Sequence, residues 1–218
     1  MAYNPEVHHR RSIRLKGYDY SQVGLYFITL CCYQRKHLFG EIKDGKLLLN
    51  ACGQIAFDEW LRTEDIRDNI RLHEFIIMPN HMHGIVEITF SKGKSTNQLY
   101  QASFKSPSQT IGAIIRGYKG ATTKKIKILS AERGKKKDRG EDRDREEGRG
   151  IGEGKGATGK GELRFAPTED ASTIGSENKV WQRNYYEHII RDERAYQNIA
   201  NYIRTNPLRW KEDKFFRK

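Results

Sequence analysis

The chain has 218 residues, a hydrophobic share of 36% and a formal net charge of +12. The length suits one domain with a real core or two small ones, and the low hydrophobic share indicates that part of the chain stays outside that core. No apolar run approaches the ~20 residues of a membrane helix, and the first twenty residues lack the apolar stretch of a secretory signal. We therefore expect a cytoplasmic protein with no membrane partner, and the positive charge favours a polyanionic partner such as nucleic acid.

The first half of the chain predicts strands that flank one helix. Residues 1–20 are polar and basic and are predicted to form an N-terminal arm. An aromatic and β-branched run predicts a strand at 24–35, and apolar residues at helical intervals predict a helix at about 53–63. The stretch LHEFIIMPNHMHGIVEITF predicts two antiparallel strands that turn at Pro79-Asn80.

The second half predicts a helix, an insert, a strand and a last helix. SPSQTIGAIIRGYKGATTKKIKIL carries isoleucines at helical spacing. Residues 130–179 are Gly-rich and of mixed charge, without apolar periodicity, and are predicted to be a disordered low-complexity insert. VWQRNYYEHII predicts a strand, and the following helix is expected to start at Asp192 and to end at Asn206-Pro207.

This order of elements predicts an α+β fold, with a ferredoxin-like antiparallel sheet and helices packed on it. Residues 21–129 and 180–212 are expected to form a single domain, and the insert is expected to be a surface loop of that domain.

The motif HMH on the second strand of the hairpin indicates a metal site. Side chains at i and i+2 of a strand share a face, so His81 and His83 can present two imidazoles to one ion. A solvated strand face is the alternative for an arbitrary pair of this kind. The apolar flanks FIIM and GIVEI favour a buried pair that needs partners, and hence metal ligation.

Tyr202 and Asn206 on the last helix can complete such a site. They lie four residues apart and therefore on one helical face. The amide oxygen of Asn206 can join the histidines on the metal, and the phenol of Tyr202 is a competent nucleophile. A tyrosine that only packs the helix on the sheet remains the alternative.

Three segments carry a family resemblance: EFIIMPNHMHGIV, SQTIGAIIRGYKGATTKKI and VWQRNYYEHIIRDERAYQNIANYIRTNPLRW. In this order they resemble the HUH single-tyrosine transposases, and above all the REP-associated tyrosine transposases. The resemblance implies the HUH nuclease fold, a divalent ion (Mg²⁺ or Mn²⁺) held by His81, His83 and Asn206, and Tyr202 as the nucleophile. It further implies DNA transposition in the bacterial cytoplasm or nucleoid, with a 5′-phosphotyrosine intermediate on single-stranded or hairpin DNA. It leaves open whether a monomer or a homodimer acts.

Basic and polar residues near these elements are candidates for contact with the DNA. They are Arg10, Arg11, Arg14, Arg116, Lys119, Lys124, Gln182 and Arg183.

Two other functions remain open at the level of the sequence. A relative without catalysis would bind hairpin DNA or RNA as a module, and a replication initiator or relaxase of the wider HUH group would share the chemistry. The intact histidine, tyrosine and asparagine set favours an enzyme, and the small size of the chain disfavours an initiator.

Overall fold

The computed structural model describes residues 17–91, 109–138, 164–165 and 179–216. Three of the predicted DNA contacts, Arg10, Arg11 and Arg14, lie outside the described residues, as do residues 139–163 and 166–178 of the predicted insert.

Within the described residues, strands and helices follow one another in the order that the sequence predicts, with an additional hairpin. They are β1 (Gly24–Cys31), β2 (Gly40–Lys43), β3 (Lys46–Leu49), α1 (Ala51–Asp65), β4 (Ile70–Met78), β5 (His81–Ile88), α2 (Ile111–Asp138), β6 (Arg164–Phe165), β7 (Tyr186–Ile190) and α3 (Glu193–Thr205). Short 3₁₀ helices occupy Tyr33–Arg35 and Asn206–Glu212.

The main sheet has four strands in the order β4-β5-β1-β7, and all of its neighbouring pairs are antiparallel. The first and last of the βαββαβ strands, β1 and β7, are adjacent, and β5 lies between β1 and β4. This is the ferredoxin-like arrangement, and the predicted α+β fold class is confirmed. No helix among the described residues has both the length and the apolar character needed to cross a membrane.

The two faces of the sheet carry different helices because side chains alternate along each strand. Tyr26, Ile28 and Leu30 of β1 belong to the larger core, which includes residues of α1 and α2. Phe27 lies on the opposite face, in the smaller core that α3 forms with Ile85 of β5. Residues of β5 that share this second face therefore point toward α3.

The β2–β3 hairpin was not predicted, although its turn has a recognisable sequence. Asp44 and Gly45 both have positive φ angles, 52° and 71°. Two consecutive left-handed residues form the tight turn that Asp-Gly favours in hairpins. The hairpin forms a second sheet with the short strand β6, in the order β2-β3-β6.

Three predicted boundaries are corrected by the structure. Helix α2 continues to Asp138, beyond the predicted start of the insert at residue 130, and strand β6 also lies inside that insert. The helix continues because Ala, Glu, Arg and Lys are strong helix formers even where no apolar stripe is present. The first strand ends at Cys31 rather than at residue 35. Tyr18 and Tyr20, from the predicted arm, pack against the larger core.

Helix α3 begins and ends where the sequence predicts. The carboxylate of Asp192 accepts a hydrogen bond from the backbone N–H of Ala195 at 2.8 Å, which caps the first turn. The helix ends at Thr205, and Asn206 follows as its C-cap before Pro207. These two ends fix which residues of the last helix reach the sheet.

Candidate active site

Strand β5 presents His81 and His83 to the face of the sheet that carries α3. Both side chains are buried, at 0% and 1% exposure, and their Nε2 atoms lie 3.1 Å apart. The antiparallel register pairs His81 with Cys31 and His83 with Thr29 on β1. The two imidazoles therefore converge inside the protein, as the spacing in the sequence predicts.

Hydrogen bonds orient both rings. The amide of Asn80 donates to the carbonyl of Phe215 at 2.8 Å, so its oxygen accepts from the Nδ1–H of His81, also at 2.8 Å. The Nδ1 atom of His83 is hydrogen-bonded to the hydroxyl of Thr29 at 2.8 Å. Partners on Nδ1 leave the Nε2 atoms to face each other, which is the arrangement typical of histidine ligands to a metal.

Burial keeps both imidazoles neutral. Burial lowers the pKa of His81 to about 3, and the nearby charges of Arg35 and Lys214 act in the same direction. Burial also holds the pKa of His83 well below its ordinary value. Neutral imidazole is the form that binds a metal ion, so no proton has to be displaced at neutral pH.

Helix α3 brings Tyr202 onto the histidine pair. Its hydroxyl lies 3.1 Å from Nε2 of His83 and donates to Oδ2 of Asp213 at 3.2 Å. Burial, followed by the negative charge of Asp213, raises the pKa of Tyr202 to about 12. At neutral pH the phenol is therefore protonated, and Asp213 is its hydrogen-bond acceptor.

Asn206 is connected to the site through Asp213. Its side-chain nitrogen donates to Oδ2 of Asp213 at 2.8 Å. Its side-chain oxygen is buried and has no hydrogen-bond partner among the described residues. A buried amide oxygen without a partner is costly, and a ligand such as a metal ion would satisfy it.

Asp213 is a component of the site that the sequence did not predict, and it lies one residue beyond the predicted end of the domain at 212. The ligand atoms of His81, His83 and Asp213 all lie within 4.8 Å of one another, and this group can hold a metal ion. Asp213 also accepts a hydrogen bond from the backbone N–H of Phe215 at 2.7 Å. It stands in an irregular segment after α3, without a spacing pattern that would have identified it.

Aromatic rings close the site on the side of the C-terminal segment. The ring of Phe215 lies 4.6 Å from that of His81, and Trp210 stacks on His81 at 5.9 Å between ring centroids. Both aromatic residues are buried. They exclude water and thereby strengthen the electrostatic interactions inside the site.

Four of the five predicted DNA contacts that the structure describes lie together, away from the histidines. They line a cavity of about 560 Å³ between α2 and residues 179–183, and they are Lys119, Lys124, Gln182 and Arg183. The fifth, Arg116, is exposed on α2 and does not line the cavity.

Comparisons with known proteins place the chain among relatives. No family model matches it. A protein of Haemophilus influenzae, described as uncharacterized, is 36% identical over 219 residues, which cover 98% of this chain and 97% of the relative. A solved structure of a REP-associated tyrosine transposase bound to a REP hairpin is similar with 15% identity and a TM-score of 0.46, and the match covers 94% of this chain and 77% of that one.

Proposed function

The chain belongs to one family with the Haemophilus influenzae protein, and we propose that this family member is a metal-dependent enzyme that cuts and rejoins single-stranded DNA at hairpin-associated sites. One observation carries the proposal. The phenol of Tyr202 lies 3.1 Å from Nε2 of His83, which in turn lies 3.1 Å from Nε2 of His81. A nucleophile in contact with a buried pair of neutral imidazoles is what metal-assisted attack by tyrosine requires.

The donor set fits a divalent ion. His81 and His83 supply two neutral nitrogens, and Asn206 supplies a buried oxygen without a partner among the described residues. Two imidazoles suit Mn²⁺ better than Mg²⁺, which prefers oxygen ligands throughout. The bound ion would act as a Lewis acid toward the scissile phosphate and would neutralise negative charge that develops there.

Tyr202 is the proposed nucleophile. Its phenolic oxygen attacks the phosphorus, an O–P bond to the tyrosine forms, and the P–O3′ bond breaks. The leaving oxygen takes a proton from solvent and becomes a free 3′-hydroxyl. The phenolic proton passes along the existing hydrogen bond to Oδ2 of Asp213, which is 3.2 Å away. The product is a 5′-phosphotyrosine.

Rejoining of strands is the reverse of this step. A 3′-hydroxyl from the same or another strand attacks the phosphotyrosine, the bond to Tyr202 breaks, and the phenol regains its proton. One phosphoester is exchanged for another at each stage, so no nucleotide cofactor is consumed. This exchange makes the proposed reaction a strand transfer suited to DNA transposition.

The charge of the protein supports a nucleic-acid substrate. The formal net charge is +12, and basic residues collect around the cavity beside α2. The histidines are almost fully buried, and we propose that a strand whose backbone bends locally brings its phosphate to them. A single strand meets this requirement more easily than a duplex does.

The test is a denaturing gel of the full-length protein with labelled single-stranded hairpin oligonucleotides, in Mn²⁺ and in EDTA. We expect a protein-linked band that requires the metal and is absent in Tyr202→Phe. The matched control is Tyr196→Phe on the same helix, because the hydroxyl of Tyr196 bonds to Glu74 and His73 rather than to His81 or His83. Tyr196→Phe should still form the band.

Other results would point to other functions. If no hairpin forms a linked band while the same hairpins shift in a native gel, the protein is a binding module. If a linked band forms in Tyr202→Phe, another residue is the nucleophile. If the linked band forms on plain single strands as readily as on hairpins, the hairpin requirement is wrong.

A further inference from the structure

The cavity beside α2 is a strongly basic concave surface. It lies between α2 and residues 179–183 and has a volume of about 560 Å³, within the range of about 300–1,000 Å³ typical of small-ligand sites. None of its lining residues is acidic. Its five cationic residues are Lys119, Lys124, Lys127, Lys179 and Arg183.

One cation of the cavity is held in place by hydrogen bonds. The ammonium of Lys119 donates to the backbone carbonyls of Gln182 and Asn184, at 2.9 and 3.0 Å, and thereby fixes the segment that forms the opposite wall. Trp181 lines the cavity and is only 8% exposed. Its indole N–H has no hydrogen-bond partner among the described residues. Because this nitrogen is itself buried, Trp181 forms part of the cavity wall and is not a donor to a molecule in the cavity.

The cavity adjoins the candidate active site across the end of β1. The backbone of Gln182 donates to the carbonyl of Cys31 at 2.9 Å, and Cys31 is the partner of His81 in the antiparallel register. The histidine side chains point to the face of the sheet that carries α3, whereas α2 packs on the opposite face, so the end of β1 separates the cavity from the histidine pair. The positive charges of Arg35, Lys119 and Lys214 all act on the thiol of Cys31, partly offsetting the rise that burial causes in its pKa.

We propose that this cavity holds one unpaired nucleotide of the strand that Tyr202 attacks. Its phosphates would lie against Lys124 and Lys127, and its base would occupy the inner part of the cavity beside Trp181. The inference rests on the proposed function for the identity of the strand, and it adds a subsite that recognises a single nucleotide of that strand.

Glycines of α2 allow the cavity to be filled without removal of a charge. Gly120 lines the cavity, and a Cβ atom built on it meets nothing within 4 Å. Gly120→Leu should therefore fill the space and also suit the helix, since leucine is a better helix former than glycine. Gly134 on the same helix is equally open but does not line the cavity, so Gly134→Leu is a matched control.

A second pair of variants tests the charge. The double variant Lys124→Gln, Lys127→Gln removes two cations from the cavity. Lys135→Gln removes an exposed cation from the same helix outside it. Binding is measured by fluorescence anisotropy of a labelled dT12 oligonucleotide with the full-length chain in EDTA, so the result does not depend on cleavage. An abasic 12-mer of equal charge is the second probe.

We expect Gly120→Leu to weaken dT12 binding about tenfold, the size of one base contact, with little effect on the abasic strand. The double lysine variant should lower the slope of log affinity against log salt by about 1.4, since each phosphate contact on a single strand contributes about 0.7. Both controls, Gly134→Leu and Lys135→Gln, should bind dT12 with the affinity of the wild type. Lys135→Gln should lower the slope of log affinity against log salt by less than about 0.7, the value of one phosphate contact.

Three results would overturn the subsite. If Gly120→Leu bound dT12 with the affinity of the wild type, the cavity would not be a nucleotide site. Losses of dT12 affinity in the two controls as large as those in the cavity variants would show that the effect is not specific to the cavity. If the wild type bound dT12 and the abasic strand with equal affinity, the cavity would not bind a base. Failure of the proposed function is distinct, because it would abolish the metal-dependent protein-linked band and leave these binding differences in place.

Discussion

The hydroxyl of Tyr202 lies 3.1 Å from Nε2 of His83, although 119 residues separate the two along the chain. Phe27 holds both rings: it stacks on His83 at 5.3 Å between centroids and meets Tyr202 edge-on at 6.3 Å. The contact between nucleophile and ligand is thus set by the packing of α3 against the sheet, since Phe27 belongs to the core between them.

Thr29 should tune the metal affinity through His83. Its hydroxyl is buried and bonds Nδ1 of His83 at 2.8 Å. Thr29→Val keeps the shape but removes this partner, and we expect Mn²⁺ affinity to fall about tenfold, as is typical for loss of an outer partner of a metal ligand. Thr29→Ser keeps the hydroxyl and should stay close to the wild type. Calorimetric titration with Mn²⁺ measures both; equal affinity in Thr29→Val and Thr29→Ser would mean that the hydroxyl does not orient the ring.

Asn206 and Asp213 should differ in their effect on the metal. The oxygen of Asn206 lacks a partner among the described residues, whereas Oδ2 of Asp213 already accepts from Tyr202 and from Asn206. We expect Asn206→Ala to lower Mn²⁺ affinity by more than about 100-fold and Asp213→Asn by about tenfold, the latter in the range of outer partners. Free Mn²⁺ counted by electron paramagnetic resonance gives both values. A loss in Asp213→Asn as large as that in Asn206→Ala would make the carboxylate a ligand.

Gly84, which follows the histidine pair, should not tolerate a side chain. A Cβ atom built on it lies 2.8 Å from the ring of Trp60, a rigid and fully buried side chain. We expect Gly84→Ala to lower the free energy of unfolding by about 2 kcal/mol through overpacking. Gly134→Ala has open space and should raise it by about 0.5–1 kcal/mol through helix propensity. Chemical denaturation tests both, and an unchanged unfolding midpoint in Gly84→Ala would show that Trp60 can move aside.

Much of the fold follows from local patterns. The alternation along β1 and β5 and the stripe on α3 lead to the four-stranded sheet, and the caps at Asp192 and Asn206 locate the last helix. The same patterns put His81 and His83 on one face of β5 and Tyr202 and Asn206 on one face of the last helix, and the packing of α3 on the sheet brings Tyr202 to His83. Their chemical roles remain predictions.

The parts that were missed depend on long-range contacts. Asp213 and Phe215 follow a 3₁₀ segment without periodicity. The carbonyl of Phe215 accepts a hydrogen bond from the amide of Asn80, and the N–H of Phe215 donates to Asp213. These contacts hold the segment at the site. Helix α2 continues to Asp138 because the residues of this charged stretch have high helix propensity. The stretch has no apolar face, so hydrophobic periodicity does not predict it as a helix.

Tyr196 should contribute to stability but not to chemistry. A bulge in β4 between Leu72 and Phe75 lets the consecutive residues His73 and Glu74 both contact its hydroxyl, at 3.2 and 2.8 Å. We expect Tyr196→Phe to lower the free energy of unfolding by about 1 kcal/mol, the contribution of a typical hydrogen bond. The metal-dependent DNA-linked band should persist. Loss of the band in a variant that is still folded by circular dichroism would give the hydroxyl a role in catalysis.

Lys119 should make single-strand binding sensitive to pH above neutrality. Burial lowers its pKa to about 8, while the Cys31 thiol acts weakly in the opposite direction. Its ammonium faces two backbone carbonyls and lies 5.7 Å from the centroid of the Tyr185 ring.

The other charged groups around it are the cations of the cavity, Lys124, Lys127, Lys179 and Arg183. As the pH rises from 7 to 9, Lys119 loses its proton and the cavity loses one positive charge, so we expect dT12 affinity in EDTA to fall about threefold. Cys31 adds no charge near neutrality because burial raises the pKa of its thiol. Lys119→Arg retains its charge across this range and should bind dT12 with little change from pH 7 to 9. If the wild type and Lys119→Arg show the same pH profile in anisotropy titrations, the loss of charge arises elsewhere on the protein.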